Sequence, residues 1–103
     1  MSTATQIAKK IKLSKPPKYC NIFLNNDKTP FEIVIHILCK VFNYNPVSAD
    51  LKAKEIHNEG KSVVFISSNE VCSAKHEMVE LEKQKFNETA LMHNVVLYEE
   101  EIN

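Results

Sequence analysis

YCNIFLNNDKTPFEIVIHIL, Tyr19 to Leu38, changes its period midway. Tyr19 to Leu24 is a run of β-formers bounded by turn residues and reads as a strand. Asn25, Asn26 and Asp27 then interrupt it with three polar side chains suited to a turn. Thr29-Pro30-Phe31-Glu32 follows with a helix-start signature. Thr29 can accept from the first turn, Pro30 suits the first helical position, and Glu32 completes a capping box. Beyond it Val34, Ile37, Leu38 and Val41 recur at helical spacing, flanked by Phe31 and Phe42, so the helix should run to about Asn43.

The same signals recur outward. Asn45-Pro46 repeats the cap and proline, predicting a second helix from Pro46 to about Asn58. Gly60, the one glycine of the chain, is its natural left-handed terminator. Lys61 to Ser67 is β-branched and aromatic and predicts a strand. Ser67-Ser68-Asn69-Glu70 opens a long helix over about Asn69 to Asn87, with Val71, Met78, Val79, Leu81 and Phe86 as its expected apolar side. Leu91 to Glu99 is the last strand. The order β-α-α-β-α-β predicts an α+β domain: a small three-stranded antiparallel sheet with three helices packed on one face. Residues 1–17 read as a flexible N-terminal arm closed by Pro16-Pro17, and residues 18–103 as the domain.

Composition sets outer bounds. A chain of 103 residues makes one small domain. Thirteen basic residues balance thirteen acidic ones, which argues against a general nucleic-acid binder. No apolar run approaches a membrane span. The N-terminal stretch is basic but has no apolar region of the kind a secretory signal carries. Cys20, Cys39 and Cys72 are odd in number and widely spaced, the pattern of free thiols in a reducing compartment, and a cytoplasmic protein is expected.

Catalytic and metal signatures are sparse. The four histidines form no HExxH pattern, and His36 with Cys39 at i, i+3 lacks further ligands, so no metal is expected. One glycine cannot build a phosphate loop. Cys39 lies in an apolar helix with no histidine positioned to activate it. The expectation is a binding protein, not an enzyme, without cofactor. Two features invite a ligand instead: the Asn25-Asn26-Asp27 cluster at a strand-to-helix junction, and His57 near the end of the second helix. Each has a plainer reading, an Asx turn for the first and a helix C-terminal histidine for the second.

Considered together, these motifs resemble the ClpS family of adaptors for bacterial AAA+ proteases. The resemblance spans about Lys15 to Glu99. It rests on Pro16-Pro17, the Asn25 to Glu32 element, Ile56-His57 before Gly60-Lys61, and Ser68-x-Glu70 with Lys75. It implies a monomeric adaptor that binds proteins with a bulky apolar first residue (Leu, Phe, Tyr or Trp) and delivers them to a Clp ATPase. By that resemblance, Asn25, Asn26, Asp27 and His57 surround the substrate's α-amino group. Thr29, Pro30, Phe31, Val34, Ala53 and Ile56 form or border the pocket for its side chain. Glu70 and Lys75 touch the N-domain of a ClpA- or ClpC-like ATPase, and the arm engages it during delivery. No nucleic acid or membrane enters the scheme. A related possibility is a regulator that docks on the ATPase and diverts it with little N-degron binding. Four positions depart from the family: Asn26 replaces the usual Asp, Ala53 replaces a larger residue, often Met, and Lys52 and Lys54 replace apolar ones. These bear on substrate preference and affinity.

Overall fold

A computed structural model describes residues 16–99. Strand β1 (Tyr19–Leu24) leads into helices α1 (Phe31–Phe42) and α2 (Pro46–Glu59), then β2 (Lys61–Ser67), α3 (Asn69–Lys85) and β3 (Met92–Leu97). β1 lies at the centre of the sheet, antiparallel to both β2 and β3. This is the expected α+β order. The expected arm lies largely outside the described residues, as does the end of the chain beyond residue 99.

Local chemistry explains most boundaries. Asn45 caps α2 by accepting from the Ser48 N–H, with Pro46 at the first helical position. Gly60 ends that helix at φ 89°, a conformation costly for any residue with a Cβ. Ser68 caps α3 through the Val71 N–H. Asn43 closes α1 in the left-handed region at φ 61°, as Asn tolerates.

The core is built chiefly by α1, whose Val34, Ile37, Leu38, Val41 and Phe42 are buried against Phe23, Ala49, Ala53, Ile56, Val64, Val79 and Leu91. The β1–β2 register slips between Asn21 and Ile22, leaving Val64 as an extra residue, so Val64 and Phe65 both pack on the core. The helices cover one sheet face. On the other, Ile66, Met92 and Val96 stay exposed.

Two local expectations are corrected. Thr29 and Glu32 form no capping box: Pro30 holds the N-cap position of α1 without a side-chain hydrogen bond. Thr29 is drawn off by Glu88, 2.7 Å from its Oγ1. The apolar side of α3 is also different. Val71, Met78, Leu81 and Phe86 are exposed, and the helix buries Cys72, Val79 and the stem of Lys83 instead, with buried Glu82 turned to His36 of α1 at 2.9 Å.

Polar groups fasten this seam. Fully buried Asn21 donates from Nδ2 to the Cys72 carbonyl at 3.0 Å, and Lys83 Nζ donates to the Leu91 carbonyl at 2.8 Å. Burial pushes the His93 imidazole below its ordinary range. The neutral ring donates from Nε2 to Glu80 at 2.5 Å, and that hydrogen bond in turn lowers the Glu80 carboxyl.

Candidate functional site

The junction between β1 and α1 is held at three points. The Asn25 N–H donates to the Gly60 carbonyl at 2.9 Å, bringing the loop against the end of α2. Asn26 Oδ1 accepts from the N–H groups of Lys28 and Thr29, each at 2.8 Å, in an Asx turn. Its amide Nδ2 has no partner among the described residues. The third point is Glu88. One oxygen, Oε2, accepts from Thr29 Oγ1 and from the N–H groups of Ala90 and Leu91 at 2.9 and 2.7 Å. This carboxylate clasps the β1–α1 loop to the segment that enters β3.

Behind the loop lies a small cavity lined by Asn25, Asn26, Thr29, Phe31, Val34, Ala53 and Ile56, together with Phe23, Leu24 and Leu91. Its free space is about 20 Å³, room for roughly one water. Val34, Ala53, Ile56 and Leu91 are buried in its wall, while Phe31 is 36% exposed at its mouth. The His57 ring packs edge-on against Phe31 with centroids 5.5 Å apart, exposed and without a hydrogen bond among the described residues. With so little free space beside it, the small side chain of buried Ala53 opens no wide pocket.

Of the residues singled out in the sequence, seven line this cavity and His57 stands at its rim. Asp27 and Pro30 are exposed and do not line it. Phe23, Leu24 and Leu91 were missed. Leu91 carried no motif, because it reaches the cavity through the Glu88 clasp, formed with Thr29 from 59 residues away.

Glu70 and Lys75 differ in kind. Glu70 is exposed in the first turn of α3. Half-buried Lys75 donates to the Val41 carbonyl at 2.8 Å, and its Nζ lies 5.5 Å from the Phe65 ring centroid. It caps the end of α1 and leans on an aromatic face. The buried thiols of Cys20 and Cys72 are pushed up by desolvation, the opposite of an activated nucleophile.

An apolar cavity rimmed by side-chain amides and an imidazole is the arrangement of a binding module. The family model for the ATP-dependent Clp protease adaptor protein ClpS matches residues 14–94. The chain therefore belongs to the ClpS family of Clp protease adaptor proteins. A Campylobacter jejuni ClpS is 36% identical over 75 residues, covering 73% of this chain and 78% of the relative. A Roseobacter denitrificans ClpS is 36% identical over 73 residues, covering 71% of this chain and 65% of its own length. In three dimensions the chain is similar to Agrobacterium tumefaciens ClpS2 bound to L-phenylalaninamide. The TM-score is 0.75 at 23% identity, over 82% of this chain and all of that one, a likeness of fold.

Proposed function

We propose that this adaptor recognises proteins by a free α-amine followed by a bulky apolar side chain, and presents them to a Clp ATPase for degradation. The observation that carries this is the juxtaposition of Asn25, Asn26 and His57 with an apolar cavity walled by Val34, Ala53, Ile56 and Leu91. An ammonium has three donors and needs acceptors around it. The Asn25 side-chain carbonyl and a neutral His57 nitrogen can supply two. The apolar wall contributes about 2–3 kcal/mol for one large side chain. A blocked amine leaves those acceptors unpaired, which is how such a site discriminates.

The phenylalaninamide bound to the ClpS2 neighbour has this chemistry, an amine beside a benzyl group. With free space for about one water, the cavity opens to a ring only if Phe31 swings aside or the loop lifts off the Glu88 clasp. Asp27, exposed in the same loop and outside the cavity lining, adds a solvent-screened negative charge.

Docking on the N-domain of a ClpA- or ClpC-like ATPase is assigned to the surface around Glu70, and delivery to residues 1–15. The protein acts as a monomer in the compartment of that ATPase, and among the described residues no helix is long and apolar enough to cross a membrane.

Fluorescence anisotropy with Phe-first, acetylated Phe-first and Gly-first peptides tests the reading. Only the free Phe-first peptide should bind, and His57→Ala and Asn25→Ala should each weaken it. Equal binding of free and acetylated peptides refutes amine recognition and leaves docking on the ATPase as the adaptor's remaining activity.

A further inference from the structure

Away from this cavity, α3 and β3 bring together three side chains that adaptor function does not use. His76 and Glu80 are one turn apart on α3, and His93 of β3 faces them. One ligand atom from each lies within 4.8 Å of the others. The two imidazoles pack against each other, tilted by 34°, with centroids 4.1 Å apart. Glu80 Oε2 takes the His93 hydrogen bond and the Lys83 ammonium at 3.1 Å, while Oε1 has no hydrogen bond among the described residues.

The nitrogens Nδ1 of His76 and Nδ1 of His93 are both buried and have no hydrogen-bond partner among the described residues. Two unpartnered ring nitrogens on neighbouring imidazoles are expensive in a small domain, since a buried polar atom ordinarily finds a donor or acceptor. Here the seam provides neither.

We propose that His76, Glu80 and His93 bind a divalent transition-metal ion of the zinc class, with solvent completing its coordination. Two imidazoles and one carboxylate are a donor set that zinc accepts, leaving an open position. Zinc bonds of about 2.0–2.1 Å at tetrahedral angles hold ligand atoms roughly 3.3 Å apart. The cluster reaches that by drawing its widest gap in by somewhat over 1 Å. Glu80, with its side chain 46% exposed, is the arm free to move, and the buried His93 is the fixed one. Lys83 opposes the added charge, so the site is weaker than a closed four-ligand cage. The bound ion would tie the edge strand β3 to α3. Spacing alone did not reveal it, because His76 and Glu80 make only half a motif and His93 lies thirteen residues beyond Glu80.

The test uses the full chain without a histidine tag. Isothermal titration with ZnCl₂ should show one ion per chain, and MgCl₂ none. Zinc should raise the melting temperature, and EDTA should reverse the rise. His76→Gln and Glu80→Gln, both at accessible positions, should each weaken zinc binding at least tenfold, while His36→Gln and His57→Gln leave it unchanged. Loss of binding in Cys39→Ser, or full binding in both His76→Gln and Glu80→Gln, places the ion elsewhere and overturns the proposal. So does absence of zinc binding in the parent.

Discussion

Asn26→Asp should tighten binding of a Phe-first peptide, because of which atom of Asn26 is already engaged. Its Oδ1 is held by the Lys28 and Thr29 N–H groups, each at 2.8 Å. What remains for a ligand is Nδ2, a donor, which meets an ammonium with the wrong polarity. An Asp at this position keeps one oxygen in the turn and turns a second, charged oxygen outward. A hydrogen bond between charged partners contributes about 1.5–3 kcal/mol, against about 1 for a neutral pair. Asn26 is only half-buried, so solvent takes part of that. The expected gain is about 1–2 kcal/mol, roughly five- to thirtyfold in Kd. The new charge also sits near Glu88, with which it shares the Thr29 hydroxyl, so a small loss of thermal stability should accompany the tighter binding. The assay is anisotropy at two salt concentrations, with the acetylated peptide as control. If Asn26→Asp binds the free peptide no better than the parent while the acetylated peptide still fails, the amine does not face position 26.

Ala53→Met should destabilise the domain by about 1–3 kcal/mol in chemical denaturation and sharply weaken Phe-first binding, because Ala53 is buried in a cavity with room for about one water. A stable variant with unchanged binding would mean that Ala53 does not wall the site. Glu70→Lys should weaken binding to the ATPase N-domain without moving the melting temperature. Lys75→Glu should instead cost about 1–2 kcal/mol of stability, since it removes the cap on Val41 and the contact with Phe65. Equal melting temperatures for the two variants would refute that distinction. Glu88→Ala leaves the Ala90 and Leu91 N–H groups and the Thr29 hydroxyl without their acceptor. It should lower stability by about 1–3 kcal/mol and speed peptide association, a stopped-flow reading that an inert surface carboxylate would not change.

The order of elements was legible because each signal is local. Asn45, Ser68 and Gly60 act on atoms within a few residues of themselves, and α1 is apolar enough that its stripe has one possible partner. The misreadings arose where a distant residue decided the outcome. Thr29 had the right neighbours for a cap, but a carboxylate 59 residues away took its hydroxyl. On α3 the apolar residues Val71, Met78 and Leu81 look like a core stripe. The sheet instead receives Cys72 and Val79, with the stem of Lys83 and the ring of His76 beside them, and Asn21 and His93 supply polar partners from below. Mixed faces of this kind carry no clean periodicity.

The candidate site shows the same division at atomic scale. Its residue types could be picked out at Asn25, Asn26, Phe31, Ala53 and His57, yet a residue letter does not say which of its atoms the fold consumes. Asn26 appears in the sequence as a carbonyl that could accept an amine. In the folded chain that carbonyl is spent on the loop that shapes the site, and the amide's other end is what a ligand meets. An Asp there has an oxygen to spare after closing the same turn. The difference between the two lies in the second atom, and for that reason the proposed amine recognition should depend on position 26 more than on the width left by Ala53.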